Sequence, residues 1–296
     1  MSPQKRRPQA RKGRTAVAAK KGSRRSDRTS WIAAVVIVVI GASLVFAFAS
    51  SASKKRNNAL ADTPAPAALV AKVTGVPTNV ISQIGQGSAS LPKTLPGPIL
   101  TKNGKPRIVY IGAEYCPFCA TERWAMVNAF SRFGTFKGLQ ITTSGGSPET
   151  NPNTSTFSFY KSTYTSDYIV FEPVETETRD KNPLQTVTAD QQALEAKWNV
   201  APYATGSGGS IPFIDFADRY LVSGASYSAD VLLNKTHDEI ASAMQDPSTD
   251  IAKGAVGTAN ALTAAICAVT NDKPANVCSN VAVSAIENAL KAQKVA

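Results

Sequence analysis

Histidine is almost missing from this chain: His237 is the single one in 296 residues. A Ser/His/Asp triad would have to be built around it. It lies in NKTHDEI, far along the chain from the cysteines, and reads as a surface residue. Cysteine is scarce too, with Cys116, Cys119, Cys267 and Cys278. A structural zinc needs four nitrogen or sulfur ligands. Cys267 and Cys278 stand eleven residues apart, which is not a zinc-knuckle spacing. No metal is expected. The glycines of GSGGS are followed by no P-loop pattern and read as a loop. The chain has no internal repeat.

Acidic residues are missing from the start of the chain. Residues 1–30 hold eleven Lys/Arg against Asp27 alone, while the remainder holds 21 basic and 20 acidic residues. The formal charge of +11 therefore belongs to the tail, and the body has no electrostatic footprint for nucleic acid. Charge and proline then vanish from WIAAVVIVVIGASLVFAFA, residues 31–49. A bilayer core takes about 20 apolar residues as helix. The Lys/Arg excess puts the tail in the cytoplasm and the body outside. A cleaved signal peptide ending near Ala47-Phe48-Ala49 is the alternative, but the apolar run exceeds the roughly 7–15 residues of a signal core.

Residues 50–100 lack long apolar runs and are rich in Ser, Ala, Pro and Asn; they read as a linker. Within it LVAKVTGVPTNVISQI, residues 69–84, reads as a short segment that docks on the body. The body, residues 101–296, opens with a turn at Asn103-Gly104. The continuous apolar run Ile108–Ile111 predicts a strand buried on both faces. Trp124, Val127, Phe130 and Phe133 recur at helical spacing, with Gly134 as a stop. LQITTSGG and DYIVFEPVE predict strands. TADQQALEAKWN predicts a helix capped at Thr188, and IPFIDFADRYLVSGAS two strands around a turn at Ala217-Asp218. SADVLLNKTHDEIASAMQD reads as one helix, and two more follow to the C-terminus. Phe157, Phe159 and Tyr160 read as packing residues rather than a peptide groove.

The stretch EYCPFCATERW carries the chemistry. Cys116 follows the buried strand and opens a helix, where backbone N–H groups favour a thiolate. Thiolates are the nucleophiles of disulfide exchange. Cys119 is one helical turn on, placed to resolve a mixed disulfide, and Pro117 suits a first turn. A plain structural disulfide, or inert buried thiols, is the competing reading. Glu114 would raise the Cys116 pKa by like-charge repulsion if close, or else it faces solvent. No buried acid is evident before the motif to accept a proton. Cys267 and Cys278, around a turn at Lys273-Pro274, read as a structural disulfide between two helices. Closing such a loop contributes very roughly 3 kcal/mol; an electron relay between the pairs is the less favoured reading. In GGSIPFIDF a cis Ile211–Pro212 bond would leave the backbone of residue 211 free to pair with a substrate strand; a trans proline at a strand start is the alternative.

NGKPRIVYIGAEYCPFCATERWAMVNAFSRFG, SGGSIPFIDF and TANALTAAIC…KPANVC together resemble the domain-of-unknown-function 929 family, over residues 100 to 280 or so. The resemblance implies a thioredoxin-like α/β fold, from which this sequence departs by an insertion over residues 147 to about 205; the apolar run 31–49 adds one N-terminal transmembrane helix, and the last helices a C-terminal helical extension. The resemblance also implies that Cys116 is the nucleophile, Cys119 the resolving cysteine and Pro212 a cis-proline beside them. The Pro-Phe dipeptide is closer to that of periplasmic oxidases than to that of cytosolic reductants. The expected function is an extracytoplasmic, membrane-anchored thiol–disulfide oxidoreductase. It would act on thiols or disulfides of exported proteins, with no dissociable cofactor and with a membrane redox partner to reset it. A non-catalytic envelope protein that binds peptides or a membrane partner is the rival.

Overall fold

The computed structural model describes residues 63–204 and 208–295. The tail at 1–30, the span at 31–49 and residues 50–62 of the linker lie outside the described residues. All described residues fall in one contact unit, 55–296. In chain order the strands are β1 Thr63–Pro64, β2 Lys93–Thr94, β3 Thr101–Lys102, β4 Lys105–Gly112, β5 Gly134–Lys137, β6 Gln140–Thr143, β7 Ser155–Ser158, β8 Thr163–Ser166, β9 Val170–Glu175, β10 Phe213–Phe216 and β11 Tyr220–Ser223. The helices are α1 Ala67–Thr74, α2 Thr78–Ile84, α3 Pro117–Ser131, α4 Ala189–Trp198, α5 His237–Ala243, α6 Gly257–Thr270, α7 Ala275–Cys278 and α8 Val281–Lys291. The class is mixed α/β.

The central strand is β4. It pairs parallel with β9 along Arg107–Gly112 and antiparallel with β10, whose hairpin partner is β11. Strand residues point alternately to the two faces of a sheet. One face carries Ile108, Tyr110, Ile214 and Phe216 into a core shared with Trp124, Val127 and Phe130 of α3 and Leu262 and Ile266 of α6. The other carries Val109, Ile111, Phe213 and Leu221 into a smaller core with Leu194 and Trp198 of α4. So the apolar run Ile108–Ile111 is buried on both sides, as its lack of alternation predicts.

Residues 63–100 include two short helices. Leu69 and Val73 of α1 and Val80 of α2 join the larger core, and Asn128 Nδ2 donates to Val73 O at 2.6 Å. At the far end, Asn271 in the left-handed conformation ends α6. Cys267 and Cys278 then form a disulfide. Among the described residues, one helical stretch, Ala252–Thr270, is long and apolar enough to cross a membrane, and it is buried inside the protein.

Two expectations need correction. The stretch SADVLLNKTHDEIASAMQD is not one helix. A 3₁₀ turn at Ala229–Leu232 ends before Asn234, which has φ 60°. Then Thr236 and Glu239 form a capping box that starts α5 afresh. Gly134 does not stop α3, which ends at Ser131. It opens β5, where a Cβ would collide with the Thr165 carbonyl on β8. There the glycine serves a close approach between strands.

Candidate functional site

Helix α3 places the cysteines. Cys116 is its N-cap in an extended conformation and Pro117 its first residue. The Cys119 N–H donates to Cys116 Sγ at 3.3 Å, and Cys116 Sγ lies 3.6 Å from Ile211 O. Both cysteines are free thiols, and the Ile211–Pro212 bond is cis. Cys116, Cys119, Ile211 and Pro212, 96 residues apart in sequence at most, are therefore brought together. The disulfide of Cys267 and Cys278 sits on α6 and α7 instead.

The two thiols are not equivalent. A hydrogen bond with the Cys119 thiol holds the Cys116 pKa below its ordinary value; the N–H groups of Cys119 and Phe118 and the charge of Arg123 act in the same sense, against burial. Burial pushes Cys119 well up, and its hydrogen bond with Cys116 adds to this. Cys116 faces a cavity of about 690 Å³, bounded by Tyr115, Phe118, Ile211, Ser223, Tyr227 and Asp230 among others. Phe118 is one of the few exposed large apolar side chains.

Helix α3 is buried nearly all round, from Cys119 to Phe130. Its polar residues must therefore find partners. Arg123 donates through Nε and Nη2 to Glu175 of β9, at 2.8 and 2.6 Å, and from Nη2 to Ala113 O at 2.7 Å. Neither member of that ion pair has exposed side-chain surface. Glu122 accepts from Ser226 N–H and Ser226 Oγ, both at 2.9 Å. Tyr227, next in sequence, donates to Thr121 O at 2.9 Å. Helix and cavity wall are thus tied together.

Burial raises the Glu122 pKa from its ordinary 4.5 to about 7, and that of Asp215 in β10 from 3.8 to about 7. An acid raised on folding stabilises the fold fully below its unfolded pKa, and that stability is lost as pH rises to the folded value. Glu122 alone should cost about 2.5 kcal/mol between pH 5 and 8. The Glu122→Gln variant keeps the contacts to Ser226 without the charge. Urea titrations at the two pH values should show its loss to be smaller than the wild type's by that amount; equal losses would contradict the assignment.

Glu114, given above as near Cys116 or facing solvent, is 9% exposed, and burial raises its pKa. A buried acid does therefore precede the motif, contrary to the expectation from sequence. His237 is not a free surface residue. Its Nε2 lies 3.0 and 2.9 Å from the carbonyls of Thr142 and Thr156, and burial lowers its pKa. Phe157 and Phe159 pack in the core, as expected. Sequence reasoning missed Tyr110, Glu122, Arg123 and Glu175. The available signal was the run Thr121-Glu122-Arg123 inside an otherwise apolar helix, with Arg123 one turn beyond Cys119.

Comparison with known families gives one finding. The model of the family described as a domain of unknown function, DUF929, matches residues 97–268. No curated protein and no solved structure matches the chain.

Proposed function

The chain belongs to the DUF929 family, and on that premise we propose that it is a membrane-anchored, extracytoplasmic thiol–disulfide oxidoreductase with a thioredoxin-like fold. The observation that carries this reading is the setting of Cys116. Its thiol caps a helix N-terminus, has a lowered pKa, opens on a large cavity and lies 3.6 Å from Ile211 O. The arrangement of β4, the CxxC helix and the β10–β11 hairpin beside a cis-proline supports the fold assignment. Residues 147 to about 205, between α3 and β10, hold the proposed insertion, and α6 to α8 form the extension. The apolar run at 31–49 is the proposed anchor.

In this reading the Cys116 thiolate attacks one sulfur of a substrate disulfide, or a substrate thiolate attacks Cys116 in the enzyme disulfide. Ile211 offers its carbonyl to an extended substrate chain, and Tyr115 and Phe118 flank it. Substrates are exported proteins, and a membrane partner restores the disulfide or dithiol.

One observation favours the non-catalytic rival: Cys116 is only 4% exposed. Such a protein would use the same cavity to hold a peptide without exchange. A Cys119→Ser trap in cells separates the two. Covalent adducts through Cys116, released by reductant, are expected. Their absence, together with no oxidation or reduction of a model peptide by the purified protein, would sink the enzyme reading.

A further inference from the structure

Among the described residues, Tyr110 Oη and Arg123 Nη1 are buried and have no hydrogen-bond partner. Leaving a buried donor unpaired costs about 1–3 kcal/mol, so such groups call for an explanation. Both belong to side chains that neighbour one sulfur. A Cβ on Gly112 would collide with Tyr110 Oη and come within 3.1 Å of Cys119 Sγ. Hydroxyl and sulfur thus border the same space beside Gly112, with no hydrogen bond between them. Arg123 follows Cys119 by four residues, on the same face of α3. Its guanidinium carbon stands 6.0 Å from the Tyr110 ring centre.

A neutral thiol is a weak acceptor, so reduced Cys119 offers these donors little. A thiolate is a strong one. We infer that Tyr110 and Arg123 form a thiolate pocket for Cys119, in which the hydroxyl donates to the ionised sulfur and the guanidinium balances its charge. The inference rests on the oxidoreductase reading above. The charged and titratable groups around Tyr110 are Arg123, Cys119, Glu175 and Cys116. Arg123 is the one cation of that set, and Glu175 of β9 holds it in place through its Nε and Nη2. Burial keeps the Tyr110 hydroxyl protonated, and so a donor.

The pocket serves both directions of exchange. In reduction, the Cys116 thiolate bonds to one substrate sulfur, and the other leaves as a thiolate that takes the Cys119 proton. The Cys119 thiolate then attacks Cys116 Sγ. The Cys116–Cys119 bond forms, the bond to substrate breaks, and the second substrate sulfur leaves with the electron pair and takes a proton from water. The substrate disulfide gains two electrons and the enzyme dithiol loses two. In oxidation the sequence reverses, and Cys119 is the leaving thiolate. Either way the negative charge passes through the buried sulfur.

Tyr110→Phe removes the hydroxyl and keeps the edge-on ring contact with Phe159, at 5.3 Å between centres. The reduced full-length protein is mixed with glutathione disulfide, quenched with acid at intervals and weighed by mass spectrometry. Closure of the Cys116–glutathione adduct by Cys119 should slow about tenfold at pH 7. The midpoint of its pH profile should rise by about one unit, the equivalent of that factor. Alkylation of Cys116 in a Cys119→Ser background should not change with Tyr110→Phe. Fluorotyrosine at position 110, which keeps ring and hydroxyl but sharpens the donor, should move the midpoint the opposite way. An unchanged closure rate and midpoint in both variants overturns the thiolate pocket alone. No adduct on wild-type Cys116 overturns the oxidoreductase reading and the pocket with it.

Discussion

Cys116→Ser is expected to abolish thiol–disulfide exchange, with a loss of at least about a thousandfold, because a serine hydroxyl does not ionise near neutral pH and the sulfur is the reacting atom. Cys119→Ser should behave differently. Its Cys116 keeps the helix N-terminus and the N–H groups of Phe118 and residue 119, so the first attack survives while turnover stops. Cys119→Ala should share that behaviour and also lose the hydrogen bond from the Cys119 thiol, the largest influence lowering the Cys116 pKa. Its Cys116 should therefore alkylate with a pH midpoint above that of the reduced wild type. Reduction of a fluorescent disulfide peptide by the wild type and these variants, with iodoacetamide kinetics alongside, measures both effects. Residual exchange in Cys116→Ser within tenfold of wild type would remove Cys116 from the nucleophile's role.

The second large effect is on stability. Arg123 and Glu175 are both wholly buried. Removing one member of such a pair leaves an uncompensated charge, which costs about 3–5 kcal/mol. For a domain of this size that is roughly 10 °C in Tm. Glu175→Leu and Arg123→Met should each fall by this amount. The double variant Arg123→Met/Glu175→Leu should recover much of the loss, because two apolar side chains leave no orphaned charge. Calorimetry of the three variants decides the matter; a double variant as unstable as the sum of the singles would mean that the pair acts as two independent contacts. The Ala113 carbonyl loses its Arg123 donor in any Arg123 variant, so some cost remains.

Much of the sheet could be read from residue order alone. Ile108–Ile111 lacks alternation because both its faces are covered. Ala217 and Asp218, both at positive φ, turn the hairpin where the sequence has a polar interruption. Thr188 caps α4 with Gln191 completing the box. These signals are local. What escaped the reading depends on contacts distant in sequence. Helix α3 looks one-sided from its aromatic spacing, yet α1, α6 and β7 pack around it and bury its charged residues as well. The partner of Arg123 comes from a strand 52 residues further on. Within the site, the motif and the proline were legible because each has a fixed place relative to a local element. Tyr110 was not, since a tyrosine in a buried strand has the pattern of ordinary core until its hydroxyl is found without a partner.

The two raised carboxyls also say something about how the chain acquires its structure. At pH 6, Glu122 and Asp215 are mostly protonated in the folded protein and almost wholly ionised in the unfolded chain, given folded pKa values of about 7. Through these two groups folding takes up nearly two protons per molecule, and His237, whose pKa burial lowers, returns part of that. Mild acidity drives this reaction forward by mass action, with hydrogen ions as the co-reactant.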